Sequence, residues 1–290
     1  MNQVTIKSFF HDSSNTYSYL VTDNATRSSA IIDSVLDYDA AAGVTSTHFA
    51  DDILKYAEQE NLLVQWILET HVHADHLSAA SYLRDRLGAA IATGKEVTVV
   101  QLVFKQMFGL EEEFSTDGRQ FNRLLADGEM IPLGESNIRV MHTPGHTPSC
   151  VTYVVNEAVA FVGDTIFMPD MGTARCDFPG GDAELLFTSI QKLLELPSDT
   201  ELYMCHDYGP NGRECLYKTT VAEQRKSNIH VHEGSAKSEF VAMRNERDVT
   251  LAMPALILPA VQINIRGGRF PKPDSDGVSY LKTPLNVFKR

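Results

Sequence analysis

The segment Thr70-His71-Val72-His73-Ala74-Asp75-His76 constrains this chain more than any other stretch of its 290 residues. It packs three imidazoles and a carboxylate into six residues. Before it lies Val64–Glu69 (VQWILE), a compact apolar run suited to a buried strand; after it, Ser78–Leu87 reads as a helix. A fold must therefore hold this loop at the mouth of a strand, where side chains are exposed while their positions are fixed. Imidazole nitrogen and carboxylate oxygen suit zinc and iron. On an extended backbone His71 and His73 can converge on one ion, with Asp75 and His76 turned towards a neighbouring position. A lone histidine would read as an ordinary loop residue; four such groups together read as a metal site.

Three further groups also close strands. In His142-Thr143-Pro144-Gly145-His146, Pro144 and Gly145 make a tight turn that presents His146 after a strand over Ile138–His142. Asp164 follows Gly163 at the end of a strand over Val159–Gly163, where glycine lets the backbone approach closely. His206 follows Cys205 at the end of a strand over Glu201–Cys205. His142 and Asp207 read as structural neighbours. Polar residues placed repeatedly at strand ends predict one shared edge of a sandwich.

Along the rest of the chain, Val4–Phe9, Tyr17–Thr22, Ser29–Asp33 and Val151–Val155 predict strands. Helical spacing marks Phe49–Asn61, Val97–Phe108, Ala183–Leu196 (with Asp182 as N-cap and Pro197 beyond) and Ser235–Arg247. The remaining tail is rich in Pro and Gly and reads as irregular. Strands followed by strand–helix alternation, twice over, predict an α+β architecture, an αβ/βα sandwich of two mixed sheets with helices outside. Residues 1–290 read as a single domain with an irregular C-terminal extension from about 235.

Hydrophobic residues make up 43% and charged residues 22%, the balance of a folded chain rather than a disordered one. The formal net charge of -13 argues against nucleic acid and anionic membrane partners, and leaves any anionic substrate to local Arg or Lys. No apolar run reaches the roughly 20 residues of a membrane span, and the N-terminal stretch lacks the pattern of a signal peptide. Cys150, Cys176, Cys205 and Cys215 form no CxxC pair; they read as buried thiols in a reduced cytoplasm.

The combination THVHADH, TPGHT, GDT and a late CHDY resembles the metallo-β-lactamase superfamily, from about Val4 to Tyr208. Within it the chain is most similar to glyoxalase II and its relatives, the persulfide dioxygenases (sulfur dioxygenases). The resemblance implies two arrangements. In one, His71, His73 and His146 hold one metal, Asp75, His76 and His206 a second, and Asp164 bridges them: a dinuclear zinc hydrolase of glyoxalase II (hydroxyacylglutathione hydrolase) or lactonase type, cleaving a thioester or ester. In the other, His71, His146 and Asp164 form a two-histidine, one-carboxylate set for one Fe(II) per chain, with His73, Asp75, His76 and His206 around it.

Two features point to the second. Met171-Gly172-Thr173-Ala174-Arg175-Cys176-Asp177-Phe178 is similar to the dioxygenase segment that carries an Arg and an Asp two apart beside the iron, here Arg175 and Asp177; Cys176 departs from the Thr of that segment. The irregular tail also resembles bacterial dioxygenase relatives more than the helical, basic end of glyoxalase II. The implied activity oxidises glutathione persulfide, or a similar low-molecular-weight persulfide, with O2 to sulfite, in sulfide detoxification. Arg175, Tyr208 and Arg266 are the substrate-binding candidates, although Arg175 can equally pair with Asp177 and Arg266-Gly267-Gly268-Arg269 reads best as a solvated turn. Expected partners are a small-molecule persulfide and O2, with a homodimer as the assembly considered.

Overall fold

The computed structural model describes residues 3–288; the outermost residues of the 1–290 span lie outside that range. Two six-stranded sheets face one another. The first runs in the order β1 (Val4–His11), β2 (Thr16–Asp23), β3 (Ser28–Ile32), β6 (Leu63–Glu69), β8 (Ala90–Gly94) and β9 (Arg123–Leu125). The second runs β10 (Met130–Leu133), β11 (Ser136–His142), β12 (Val151–Val155), β13 (Val159–Phe161), β14 (Glu201–Tyr203) and β15 (Lys218–Thr220). A small sheet of β4 (Val35–Asp39), β5 (Val44–Ser46) and β7 (Leu77–Ser78) flanks the first. Both large sheets are mixed. β1, β2 and β3 pair antiparallel while β3, β6, β8 and β9 pair parallel. In the second sheet only β13 and β14 pair parallel.

The period-2 alternation of each strand decides which layer a side chain enters. Tyr19, Val21, Ile32 and Leu68 point between the sheets, where they meet Ile138, Val140, Tyr153 and Phe161. Their sequence neighbours Leu20, Ile31 and Ile67 point outward, into a layer of α1 (His48–Gln59), α2 (Ala80–Leu87), α3 (Val97–Phe108) and α7 (Ile257–Asn264). On the far side Val154, Ala160 and Leu202 pack under α4 (Ala183–Leu194), α5 (Val221–Ser227) and α6 (Lys237–Asp248). Strands buried on both faces read as continuous apolar runs, and β2, β3 and β12 are buried throughout. The expected sandwich is the observed one, and Asp182 caps α4 by accepting from the Leu185 N–H at 2.9 Å.

The tail departs from expectation at α7. Pro259 falls in its first turn, where a missing N–H costs no hydrogen bond. Ile257, Ala260, Val261 and Ile263 are buried against the first sheet's helical layer. Arg266 is likewise not in a solvated turn. It is 5% exposed, paired with Glu111 at 2.6 Å and stacked over Phe114. A Cβ on the neighbouring Gly268 would stand 2.7 Å from the Ser78 carbonyl oxygen, so this glycine turn is packed against the start of α2.

Candidate metal centre

The ends of β3, β6, β11, β13 and β14 open on one edge of the sandwich, and the loops there bring the candidate side chains together. That edge is stitched across both sheets. Tyr17 N–H donates to Cys205 O at 2.7 Å, Val151 N–H to Thr70 O at 2.9 Å, and the Tyr153 hydroxyl to Glu69 O at 2.9 Å. Gly145 has φ 138°, and a Cβ on it would lie 2.3 Å from the Leu186 backbone of α4. The turn that presents His146 therefore rests directly on the helix. Gly163 lets its strand end close on the Thr70 side chain in the same way.

His71, His146 and Asp164 form one set whose donor atoms all lie within 4.8 Å of one another. His71 Nε2 and His146 Nε2 stand 3.9 and 3.7 Å from Asp164 Oδ2. The other carboxylate oxygen, Oδ1, faces His206 Nε2 at 3.4 Å, and His206 Nε2 is also 3.4 Å from Asp75 Oδ2. His73, Asp75 and His76 make a second close set.

Hydrogen bonds fix which ring nitrogen each histidine turns to this centre. His71 Nδ1 meets the Thr70 hydroxyl at 3.0 Å, His146 Nδ1 the Arg175 carbonyl at 2.8 Å, His76 Nδ1 the Leu77 carbonyl at 3.2 Å and His206 Nδ1 the Asn15 carbonyl at 3.2 Å. In each ring Nε2 is left for the centre. His73 is reversed: its Nε2 meets Asp33 Oδ1 at 3.1 Å and Glu69 Oε2 at 3.5 Å, and Nδ1 is left over.

Asp33 and Glu69 were not singled out in the sequence, yet both are buried and both hold His73. Asp33 also accepts from Thr70 N–H at 2.7 Å and from its hydroxyl at 2.8 Å. The available signal was an acid at the end of the buried strand SSAII, and another directly before the histidine motif. Asn264 of α7, also unforeseen, donates from its amide to the carbonyls of His73 and His76, both at 2.8 Å.

The electrostatics follow from burial. Desolvation holds His71 well below the ordinary imidazole range and pushes His76 down to about 3. Burial opposes a charge on His73 too, but the Asp33 and Glu69 carboxylates outweigh it and raise that ring well above its usual value.

Six buried polar atoms here have no hydrogen-bond partner: His71 Nε2, His73 Nδ1, Asp75 Oδ2, His76 Nε2, Asp164 Oδ1 and His206 Nε2. Each such atom costs roughly 1–3 kcal/mol when left unsatisfied. Six in one place, all of them lone-pair donors, fit a bound cation.

Above the centre lies an open cavity of about 510 Å³, reached by His146, Asp164, Arg175, Phe178, Tyr208 and Arg247. Arg175 is committed to a two-pronged pair with Asp177 (2.6 and 2.7 Å) and to the Ala252 carbonyl. These bonds fasten the loop whose Arg175 carbonyl meets His146 Nδ1. Cys176 is buried, and burial raises its thiol far above the ordinary range. His142 ties the TPGHT turn to the Pro148 carbonyl at 2.8 Å, and Asp207 is spent on Arg213; both are structural, as expected. Tyr208 lines the cavity and stacks 6.1 Å from His206. Arg266 does not reach the cavity.

With its two layered sheets and its histidine–aspartate edge, the chain belongs to the metallo-β-lactamase superfamily, whose family model matches residues 12–206. It is 54% identical to a probable metallo-hydrolase of Burkholderia pseudomallei strain 1710b, over 98% of this chain and all of that one. It is 48% identical to glyoxylase B2 of Dictyostelium discoideum, over 100% of this chain and 99% of the other. It is 29% identical to the mitochondrial persulfide dioxygenase ETHE1 of Bos taurus, over 91% and 89%. Among solved structures, ETHE1 from Myxococcus xanthus superposes with a TM-score of 0.73 at 28% identity, covering 91% of this chain and 100% of that one. The chain is thus an enzyme-superfamily member carrying the family's metal-site clusters. No helix among the described residues is long and apolar enough to cross a membrane.

Proposed function

We propose that the chain is a non-haem iron persulfide dioxygenase, oxidising a low-molecular-weight persulfide such as glutathione persulfide to sulfite. The observation that carries this reading is the His71–His146–Asp164 set, two imidazoles and one carboxylate whose donor atoms lie within 4.8 Å of one another. Resemblance to the ETHE1 proteins supports it. α7 removes the irregular tail as a ground for this choice. Iron bound by those three residues would supply the O2 and electron-transfer chemistry that amino acids lack.

The chain's own groups do the rest. Thr70 and the Arg175 carbonyl hold His71 and His146 in the tautomers that face the centre. Phe167 and Phe178 line the cavity and limit water. Arg175 and Asp177 keep the wall rigid. Among the described residues Arg247 is the cavity guanidinium without a carboxylate partner, since Arg244 pairs with Asp248 and Arg175 with Asp177. It is free to take a carboxylate on the thiol carrier, with Tyr208 opposite as a hydrogen-bonding group. The expected setting is sulfide detoxification in the cytoplasm, to which the free thiols are suited.

A second reading has its own observation. Asp164 turns Oδ1 towards His206, which also meets Asp75, the placement of a carboxylate shared by two ions, and the relatives named metallo-hydrolase and glyoxylase are the more similar ones. It makes the chain a dinuclear zinc hydrolase of glyoxalase II or lactonase type. Metal quantitation paired with an oxygen electrode separates the two. About one iron per chain, with O2 consumed and sulfite formed from glutathione persulfide, supports the dioxygenase. About two zinc per chain with thioester cleavage and no O2 uptake overturns it.

A further inference from the structure

A second, much smaller cavity adjoins the open one above the centre. Ala74, His146 and Phe178 line both, so these three side chains form the partition between them. The rest of its wall comes largely from two helices. α3 supplies Val100 and Phe104, and α7 supplies Ile257 and Val261. Each pair is four residues apart, the spacing that places two side chains one above the other on a single helix face. Val72, between the first two histidines of the THVHADH loop, adds to the lining. None of these five side chains is more than 6% exposed.

The space offers water nothing to bond. His146 Nδ1 is taken by the Arg175 carbonyl, and its Nε2 is turned towards Asp164. The Thr147 hydroxyl, also in the lining, is 3.0 Å from Cys150 Sγ and 3.4 Å from Ser149 Oγ. A buried water needs several polar partners, and an apolar cavity without them stays dry and takes apolar solutes instead. The volume is about 10 Å³, about the least that admits a molecule the size of water or O2. The partition is held in place. The Phe178 ring meets His146 edge-on with centroids 5.2 Å apart, the Arg175 guanidinium lies 5.1 Å from its centroid, and its carbonyl accepts from Gly181 N–H at 2.7 Å. Only a slim solute passes such a wall without moving the backbone.

We propose that this cavity holds dioxygen and delivers it to the centre beside His146. The proposal rests on the dioxygenase reading, whose second substrate it concerns. O2 carries no charge and no dipole, so it leaves water for apolar surroundings, whereas a persulfide anion does the reverse. The two substrates therefore reach the centre by different routes. The anion enters through the open cavity that carries Arg247, and O2 through the apolar layer of α3 and α7. O2 can then arrive while the persulfide fills the open cavity.

The first test uses O2 itself as a paramagnetic probe of zinc-loaded protein, followed by NMR and independent of turnover. Under O2 the methyl groups of Val100, Ile257 and Val261 should relax faster than those of Ile31 and Ile67, which are equally buried in the same layer. The second test is kinetic, on iron-loaded enzyme. Val100→Ile and Val261→Ile each add a methyl group to the space and should lower kcat/KM for O2 roughly tenfold, as a methylene misfitted to a hydrophobic pocket does. KM for persulfide should hold, because neither side chain lines the open cavity. The loss should shrink as O2 is raised, which a damaged centre would not allow. Val261→Ala guards against a filled variant that fails to fold: it enlarges the space, and O2 contact with Val100 and Ile257 should rise. Cavity methyls that meet O2 no more than Ile31 and Ile67 do, or filled variants with unaltered kcat/KM for O2, overturn the proposal. If the parent enzyme consumes no O2 with persulfide, the dioxygenase reading fails and oxygen delivery with it. O2 uptake by a parent whose cavity methyls show no contact with O2 sinks the cavity alone.

Discussion

Among the described residues Arg244 is the largest fully buried side chain, and its removal has a calculable cost. Its guanidinium meets Asp248 Oδ1 through Nε at 2.8 Å and Nη2 at 2.6 Å, and donates to the Thr173 carbonyl at 3.1 Å. Asp248 Oδ2 in turn accepts from Cys176 N–H at 2.7 Å. The pair therefore fastens the 173–177 loop, whose Arg175 carbonyl orients His146, to α6. In Arg244→Met the stem's packing is retained, but Asp248 keeps a buried charge with no counter-charge. Removing one partner of such a pair costs about 3–5 kcal/mol, a large share of a typical stability of about 5–15 kcal/mol. With a urea slope of about 3 kcal/mol per molar, the midpoint should drop by about 1–1.7 M. Trp66 is the sole tryptophan and donates to the Pro132 carbonyl across the two sheets, so its fluorescence reports the transition. Asp248→Asn should cost a similar amount, and the double variant less than the sum by about 2 kcal/mol, because no orphan charge remains. Single losses below about 1 kcal/mol, or additive ones, would refute the reasoning.

Three other outcomes are expected. Burial pushes His230 down to about 4, where its ring accepts from the Thr173 N–H. The unfolded state then takes up a proton between pH 6.5 and 4 that the native state refuses. Stability is thus intact above this window and falls as pH drops through it; denaturation profiles of His230→Asn should lose that part of the slope. Gly145→Ala forces a Cβ into the Leu186 backbone from a positive φ, and should cost about 2–4 kcal/mol and release bound metal, as read by calorimetry and metal analysis. Burial lifts the Cys150 thiol to about 12 and raises Cys176 and Cys205 too, so a thiol reagent at pH 8 should label only the half-buried Cys215 in native protein; rapid labelling of all four contradicts the burial described.

The layers and the donor residues were legible because each rests on a local signal. Strands such as TYSYLVTD and VTYVV announce themselves by apolar continuity, and His71, His146, Asp164 and His206 by polar residues stacked at strand ends. Short strands such as Ala90–Gly94 and Met130–Leu133 carried too few residues to show a period. α7 stayed hidden because it is buried nearly all round, which erases the amphipathic period, and because Pro254 and Pro259 look like breakers. Asp33 and Glu69 reach His73 only through tertiary contacts, and an acid closing a buried strand marks the position without naming its partner. Arg266 looked solvated because two glycines follow it; its partner Glu111 lies 155 positions away.

The clasp that Asn264 makes on the carbonyls of His73 and His76 has a temporal meaning for biosynthesis. The ring-bearing loop emerges early from the ribosome, but the amide that cinches it is 188 and 191 positions downstream. Until that residue arrives, the nascent polypeptide carries an unlatched, chelating loop. Firm seating of an ion is thereby made to wait on residue 264, and a chain stopped before it should bind metal more weakly, as read by metal analysis.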